Sequence, residues 1–207
     1  TNDVHSHIES FEMDHARYPG MGGIARRASL IQSIRQENPN TLLFDAGDIF
    51  QGTPYFNYFG GELEFKMMSK LGYDGATIGN HDFDNGIDGL ERQLPNAKFD
   101  FIISNYDFSD TVMDSRTDRF KIYEKEGIKV GVFGLGIQLK GLVDPALFKE
   151  TKYLDPVEIT QDMTKVLREE QHCDLVIALS HLGYNYKSNP ERISDLSLAR
   201  QTEGVDL

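Results

Sequence analysis

Cysteine is almost absent from this chain: Cys173 is its single thiol. That excludes an internal disulfide and a thiolate-rich zinc site, and it leaves the compartment open. No run of about 18 apolar residues occurs, so no segment reads as a membrane-spanning helix. Positive charge is scarce, with 21 Lys and Arg against 33 Asp and Glu and a formal net charge of -12. No basic patch stands out, which argues against a nucleic-acid polymer as partner. The acidity reads as solubility, and a site that handles phosphate in such a chain would draw positive charge from metal cations. Internal repeats, linkers and low-complexity tracts are missing, as is the His-Glu-x-x-His helix of a metallopeptidase. Residues 127–136 are glycine-rich but lack the Lys-Ser/Thr ending of a phosphate loop. What remains is 207 residues with ordinary glycine and proline counts and 39% hydrophobic residues, enough for one substantial core.

Apolar residues at helical spacing predict a helix over 22–37 that stops at Asn38-Pro39. Thr53-Pro54 resembles an N-cap followed by proline at the first helical position. A second helix is expected over 62–71, with Leu63, Met67 and Leu71 on one face and Gly72 as its stop. Further helices are expected over 87–94 and 156–170, the latter burying Val157, Ile159, Met163, Val166 and Leu167. Short apolar strands are predicted over 41–44, 75–78 and 99–104, a hairpin over 120–133, and a fully buried strand over 174–179. Thr1-Asn2-Asp3 reads as the end of a strand and Gly204-Val205-Asp206-Leu207 as the start of one, so the chain is expected to be truncated at both ends. Helices alternating with strands, plus a hairpin, predict an α/β layered domain with a mixed sheet.

Four strands end in polar clusters: Asp3-Val4-His5, Asp45-Ala46-Gly47-Asp48, Gly79-Asn80-His81-Asp82-Phe83-Asp84, and Ser180-His181. In open α/β sheets the C-terminal strand edge is where ligands bind. Asp3 and His5, two apart on an extended segment, can face one side. Asp48, Asn80, His81 and His181 follow the other strands. Such a nitrogen and oxygen donor set suits Zn, Mn or Fe better than Ca. Two cations about 3.5–4 Å apart can ionise a water and stabilise charge on a phosphoryl group.

These runs, together with Gly47-Asp48-Ile49-Phe50-Gln51-Gly52-Thr53-Pro54 and Ser180-His181-Leu182-Gly183, resemble the N-terminal catalytic domain of the 5′-nucleotidase family within the calcineurin-like metallophosphoesterases. The resemblance spans nearly the whole chain in the family's order. It implies an α-β-β-α sandwich over residues 1–207, a dinuclear centre of two divalent metal ions, and a small phosphoester substrate, most simply a 5′-nucleotide. Asp3, His5 and Asp48 would bind one metal, and Asp48, Asn80 and His181 the other, with Asp48 as the bridge. His81 would contact the phosphoryl oxygen, with Asp84 orienting it. Attack would be in line, by a metal-bound hydroxide, without a covalent enzyme intermediate. 2′,3′-cyclic nucleotide phosphodiesterase and nucleotide-sugar pyrophosphatase activities belong to the same class, and a non-catalytic metal-binding scaffold is the rival from another. A periplasmic or extracellular location follows from the resemblance alone. The family's Gly-His-x-His run and its nucleoside-binding C-terminal domain are not found in this sequence, and Ser6 stands where the family usually has glycine.

Blander readings apply elsewhere. Asp45 is expected to hold the Asp48 loop rather than a metal, and Asp82 to be a solvated or loop-capping carboxylate. Asn105 is open between touching substrate and closing a turn. His7 and His15 read as surface loop, His172 and Cys173 as packing or surface. Tyr55, Phe56, Tyr58 and Phe59 read as core packing.

Overall fold

The computed structural model describes residues 1–189 and 191–207. Its helices are α1 Ile24–Glu37, α2 Pro54–Phe59, α3 Glu62–Leu71, α4 Gly86–Gln93, α5 Pro145–Phe148, α6 Pro156–Lys165 and α7 Asp195–Gln201. The strands are β1 Phe44–Asp45, β2 Gly75–Ala76, β3 Asp100–Phe101, β4 Tyr106–Asp107, β5 Phe120–Lys125, β6 Ile128–Leu135, β7 Lys152–Tyr153 and β8 Leu175–Ser180.

Two three-stranded sheets carry the fold. One, ordered β1-β2-β3, is parallel throughout, with Phe44 opposite Gly75 and Ala76 opposite Phe101. The other, ordered β5-β6-β8, is mixed: β6 pairs β5 antiparallel and β8 parallel. Leu42, Phe44 and Ile102 from the first sheet meet Val132, Ile177 and Leu179 from the second in one apolar cluster, so the sheets lie face to face. Phe65, Met68, Phe83, Ile87 and Leu90 cover the outer face of the first sheet from the helical side. Ile159, Met163, Leu167 and Leu198 do the same for the second. The layering is therefore α-β-β-α, and each fully buried large side chain contributes roughly 1.5–3 kcal/mol of transfer free energy.

Local signals explain the ends of several elements. Gly72 closes α3 in the left-handed conformation. Asp155 caps α6 by accepting from the Val157 and Glu158 amides, with Pro156 in the first turn. The structure departs from expectation in detail. The strands expected over 41–44, 75–78 and 99–104 are two residues each, at Phe44–Asp45, Gly75–Ala76 and Asp100–Phe101. The α3 stripe is rotated: Phe65 and Met68 are buried, while Leu63, Met67 and Leu71 are half-buried. Helix α6 ends at Lys165 and continues as a π-helical turn over Val166–Glu170. β8 is not fully buried, since it borders the sheet and Leu175 is 42% exposed. Of the four aromatics near α2, only Phe56 enters the core, and Tyr58 projects outward at 83% exposure.

Parallel pairing decides where the polar clusters go. Residues 1–3 run beside β1: the Ala46 amide donates to Thr1 O, and the Asp3 amide to Gly47 O. The loops after β1 and β2 leave the same edge of their sheet, and the His181 amide donates to Leu135 O beyond the paired ends of β6 and β8.

Candidate metal centre

Asp48 is the focus. Its side chain is almost wholly buried, and each oxygen has its own partners. Oδ1 accepts from the His81 amide at 2.8 Å. Oδ2 lies 3.2 Å from His181 Nε2 and 4.0 Å from His5 Nε2. His5 Nε2 is 3.6 Å from Asp3 Oδ1. Asp3, Asp48 and His181 each present a ligand atom within 4.8 Å of the others. Asn80 is half-buried at the start of the 3₁₀ turn His81–Phe83, between Gly79 and His81, both of which touch Asp48 through their backbone. The six expected strand-end residues Asp3, His5, Asp48, Asn80, His81 and His181 thus share one locality.

The imidazoles are pre-aimed. His181 Nδ1 lies 2.8 Å from Ala46 O. A carbonyl only accepts, so Nδ1 carries the proton and Nε2 is left to face Asp48. His5 Nδ1 sits 3.3 Å from Phe50 O and its Nε2 is freed in the same way. His81 Nδ1 is 3.0 Å from Asp84 Oδ2 across one turn, and its ring meets His5 edge-on at 5.3 Å between centroids.

The backbone is strained where these candidate ligands are held. Asp3, His5 and Asp48 all have φ near +50°. A non-glycine residue there costs on the order of 1–3 kcal/mol, and such strain gathers at functional sites. Cross-loop bonds enforce it: the His5 amide donates to Asp48 O and the Ser6 amide to Ile49 O. Gly79 is required by contact, because a Cβ there would lie 2.1 Å from Asp48 Oδ1.

Asp82 is the residue whose role the sequence left open. It is not solvated; it is 1% exposed and holds the loop from within. Oδ1 accepts from the Ile49 and Phe50 amides, and Oδ2 from those of Asp48 and Gly79. A lone Asp between His81 and Phe83 gives no sequence signal of which way it turns. Asp45 also plays a structural part, accepting from the Thr1 hydroxyl and the Gly47 amide. Asn105 spends its amide on both backbone groups of Gly136, 31 residues away, so it neither faces the site freely nor closes a local turn but ties the end of β6 to the residue before β4. His7 packs against Phe11 on a surface loop, and His15 is exposed there. Cys173 is buried.

Electrostatics follow from burial and crowding. Burial, then the charge of Asp48, pushes Asp82 up to about 7. Burial raises Asp45 to about 6 against the pull of the Thr1 hydroxyl. For Asp48 burial acts upward, but the hydrogen bond and charge of His181 and the His81 amide hold it below the usual carboxylate range. For His181 burial acts downward, and the Asp48 hydrogen bond and charge overcome it, lifting the imidazole to about 9. Acidic oxygens with freed imidazole nitrogens around one point form a donor set that fits a divalent transition metal.

Strand-end carboxylates and imidazoles set on two facing sheets with outer helices define a metallophosphoesterase-type α/β sandwich. The comparison with known families agrees: residues 1–207 match the calcineurin-like phosphoesterase family, and the chain belongs to it. It is 34% identical over 215 residues to a snake venom 5′-nucleotidase of Crotalus adamanteus, covering all of this chain and 35% of that protein. Among solved structures it resembles the 5′-nucleotidase precursor of Thermus thermophilus, with a TM-score of 0.84, 32% identity, and coverage of 99% of this chain and 39% of that one. The calcineurin-like phosphoesterase YfkN of Bacillus subtilis gives a TM-score of 0.81 at 28% identity, covering all of this chain and 68% of that one. The chain spans a little over a third of the length of the curated relatives it matches.

Proposed function

We propose that this chain forms the metal-binding catalytic part of a phosphomonoester hydrolase of the 5′-nucleotidase type. The supporting observation is the convergence on Asp48 of His181 and His5 from loops distant in sequence. In this reading Asp3, His5 and Asp48 would hold one divalent cation and Asp48, Asn80 and His181 a second, with Asp48 common to both sets. Such cations would acidify a water and offset the charge that grows on the phosphoryl group. The Ala46 and Phe50 carbonyls fix the His181 and His5 rings so that neither spends binding energy on orientation. Asp82 clamps the loop amides that place Asp48. Asp84 lies 3.0 Å from His81 Nδ1 and orients the ring. His81 Nε2 is thereby turned to contact a phosphoryl or leaving-group oxygen. A 5′-nucleotide is the proposed substrate, with cyclic nucleotides or nucleotide sugars as variants of the same chemistry. A role in nucleotide catabolism, and a periplasmic or extracellular location, accompany the family likeness.

The test is turnover of p-nitrophenyl phosphate and bis-p-nitrophenyl phosphate after metal removal and restoration with Mn or Zn. Activity that returns with metal and is lost in His81→Ala, with metal still bound, supports the reading. Bound metal without turnover in the full-length protein would favour a non-catalytic scaffold.

A further inference from the structure

Glu64 lies in the first turn of α3 and is 5% exposed. Among the described residues neither of its oxygens has a hydrogen-bond partner, and neither does Ser6 Oγ, whose residue is fully buried. Both residues line the same small pocket, with about 20 Å³ of room for the centre of a water-sized sphere. Arg27 lines it too, and Ile49, Met67 and Met68 supply apolar wall. A buried carboxylate without a partner is costly, and buried polar atoms are as a rule satisfied. About 10–15 Å³ measured in this way holds one water, which needs two to four polar neighbours. The two Glu64 oxygens and Ser6 Oγ are the unpartnered polar atoms beside it.

We infer that Glu64 is a positioning residue for the metal centre, acting on Ser6 through one buried water. The inference rests on the metal-centre reading above. Ser6 follows His5 directly and has φ +53°, a conformation that favours glycine. Its backbone joins the two ligand loops: the amide donates to Ile49 O at 2.8 Å, and the carbonyl accepts from Thr53 Oγ1 at 3.0 Å. A water between its hydroxyl and Glu64 anchors the strained residue from below. His5 Nε2 is thereby kept on its line to Asp48.

The experiment has two arms. A high-resolution crystal structure of the full chain with Mn²⁺ should show one ordered water bonded to Ser6 Oγ and a Glu64 oxygen. A dry pocket, or Glu64 paired directly with Arg27, overturns the inference. Mn²⁺ affinity is then measured by calorimetry. Glu64→Leu and Ser6→Ala should each weaken it by about three- to tenfold, less than loss of a group bonded straight to a ligand. The double variant should lose no more than either single one, and Glu64→Gln should restore affinity to within about twofold. A lower melting temperature with unchanged Mn²⁺ affinity would make Glu64 merely structural and would also overturn it. Absence of Mn²⁺ binding in the unsubstituted protein would defeat the metal-centre reading itself, a different outcome from binding that ignores Glu64.

Discussion

Asp82→Asn isolates the internal support of the centre from the ligands themselves. The carboxylate accepts from the amides of Asp48, Ile49, Phe50 and Gly79 at 2.8–3.1 Å. Asparagine offers one oxygen, so two of those amides would face its NH₂ and go unpaired. Each buried orphan donor costs roughly 1–3 kcal/mol, giving a gross loss of about 2–6 kcal/mol. Removing the buried charge returns part of this, because burial and Asp48 have pushed Asp82 up to about 7. Near pH 5 that return is about 1.6 kcal/mol, so a net loss of roughly 0.5–4 kcal/mol is expected there, against the roughly 5–15 kcal/mol that holds a domain together. The pH dependence has a definite sign. A carboxyl raised in the folded state costs stability as it ionises, so the cost grows as pH rises from about 4 to about 7. The variant has no such cost, and its deficit should be larger near pH 5 than near pH 8. Urea unfolding of the metal-free protein measures both. A variant at least as stable as the parent near pH 5, or a deficit that widens with pH, refutes the reasoning.

Other substitutions separate ligands from scaffold. Asp48→Asn should lose both metals and His181→Ala mainly one; equal metal contents by elemental analysis would refute the assignment. Gly79→Ala should destabilise the protein by about 1–3 kcal/mol and abolish metal binding, since its Cβ would collide with Asp48 Oδ1 and with the Asp48 amide. A normal melting curve and metal titration would show that the contact relaxes freely. His181, raised to about 9 by Asp48 against burial, stabilises the metal-free protein below about 6.5, and that contribution disappears as pH climbs through about 9. Metal must displace this proton, so apparent affinity should rise over the same interval. Calorimetry in buffers of different ionisation heat should detect proton release at neutral pH, and no release would contradict the shift.

The sequence was most readable where one local rule governs. Gly72 and Asn38-Pro39 set helix ends because each acts on its own turn. Strand ends carrying polar clusters pointed to one sheet edge, because parallel pairing sends successive strands the same way. The rotated stripe of α3 was not readable, because Glu64 takes a buried position that a hydrophobic pattern assigns to an apolar residue. Asp82 escaped for a similar reason: three of its four partners are backbone amides more than 30 residues away, which leave no residue-type signature. Asn105 is the mirror case, a strand-end amide that resembles a ligand but is used up by Gly136.

The most direct trial is an anomalous diffraction map of the protein crystallised with Mn²⁺. Two peaks about 3.5–4 Å apart are expected, both touching Asp48, one also reached by Asp3 and His5 and the other by Asn80 and His181. No peak beside Asp48, or a lone ion bound without it, would contradict the account.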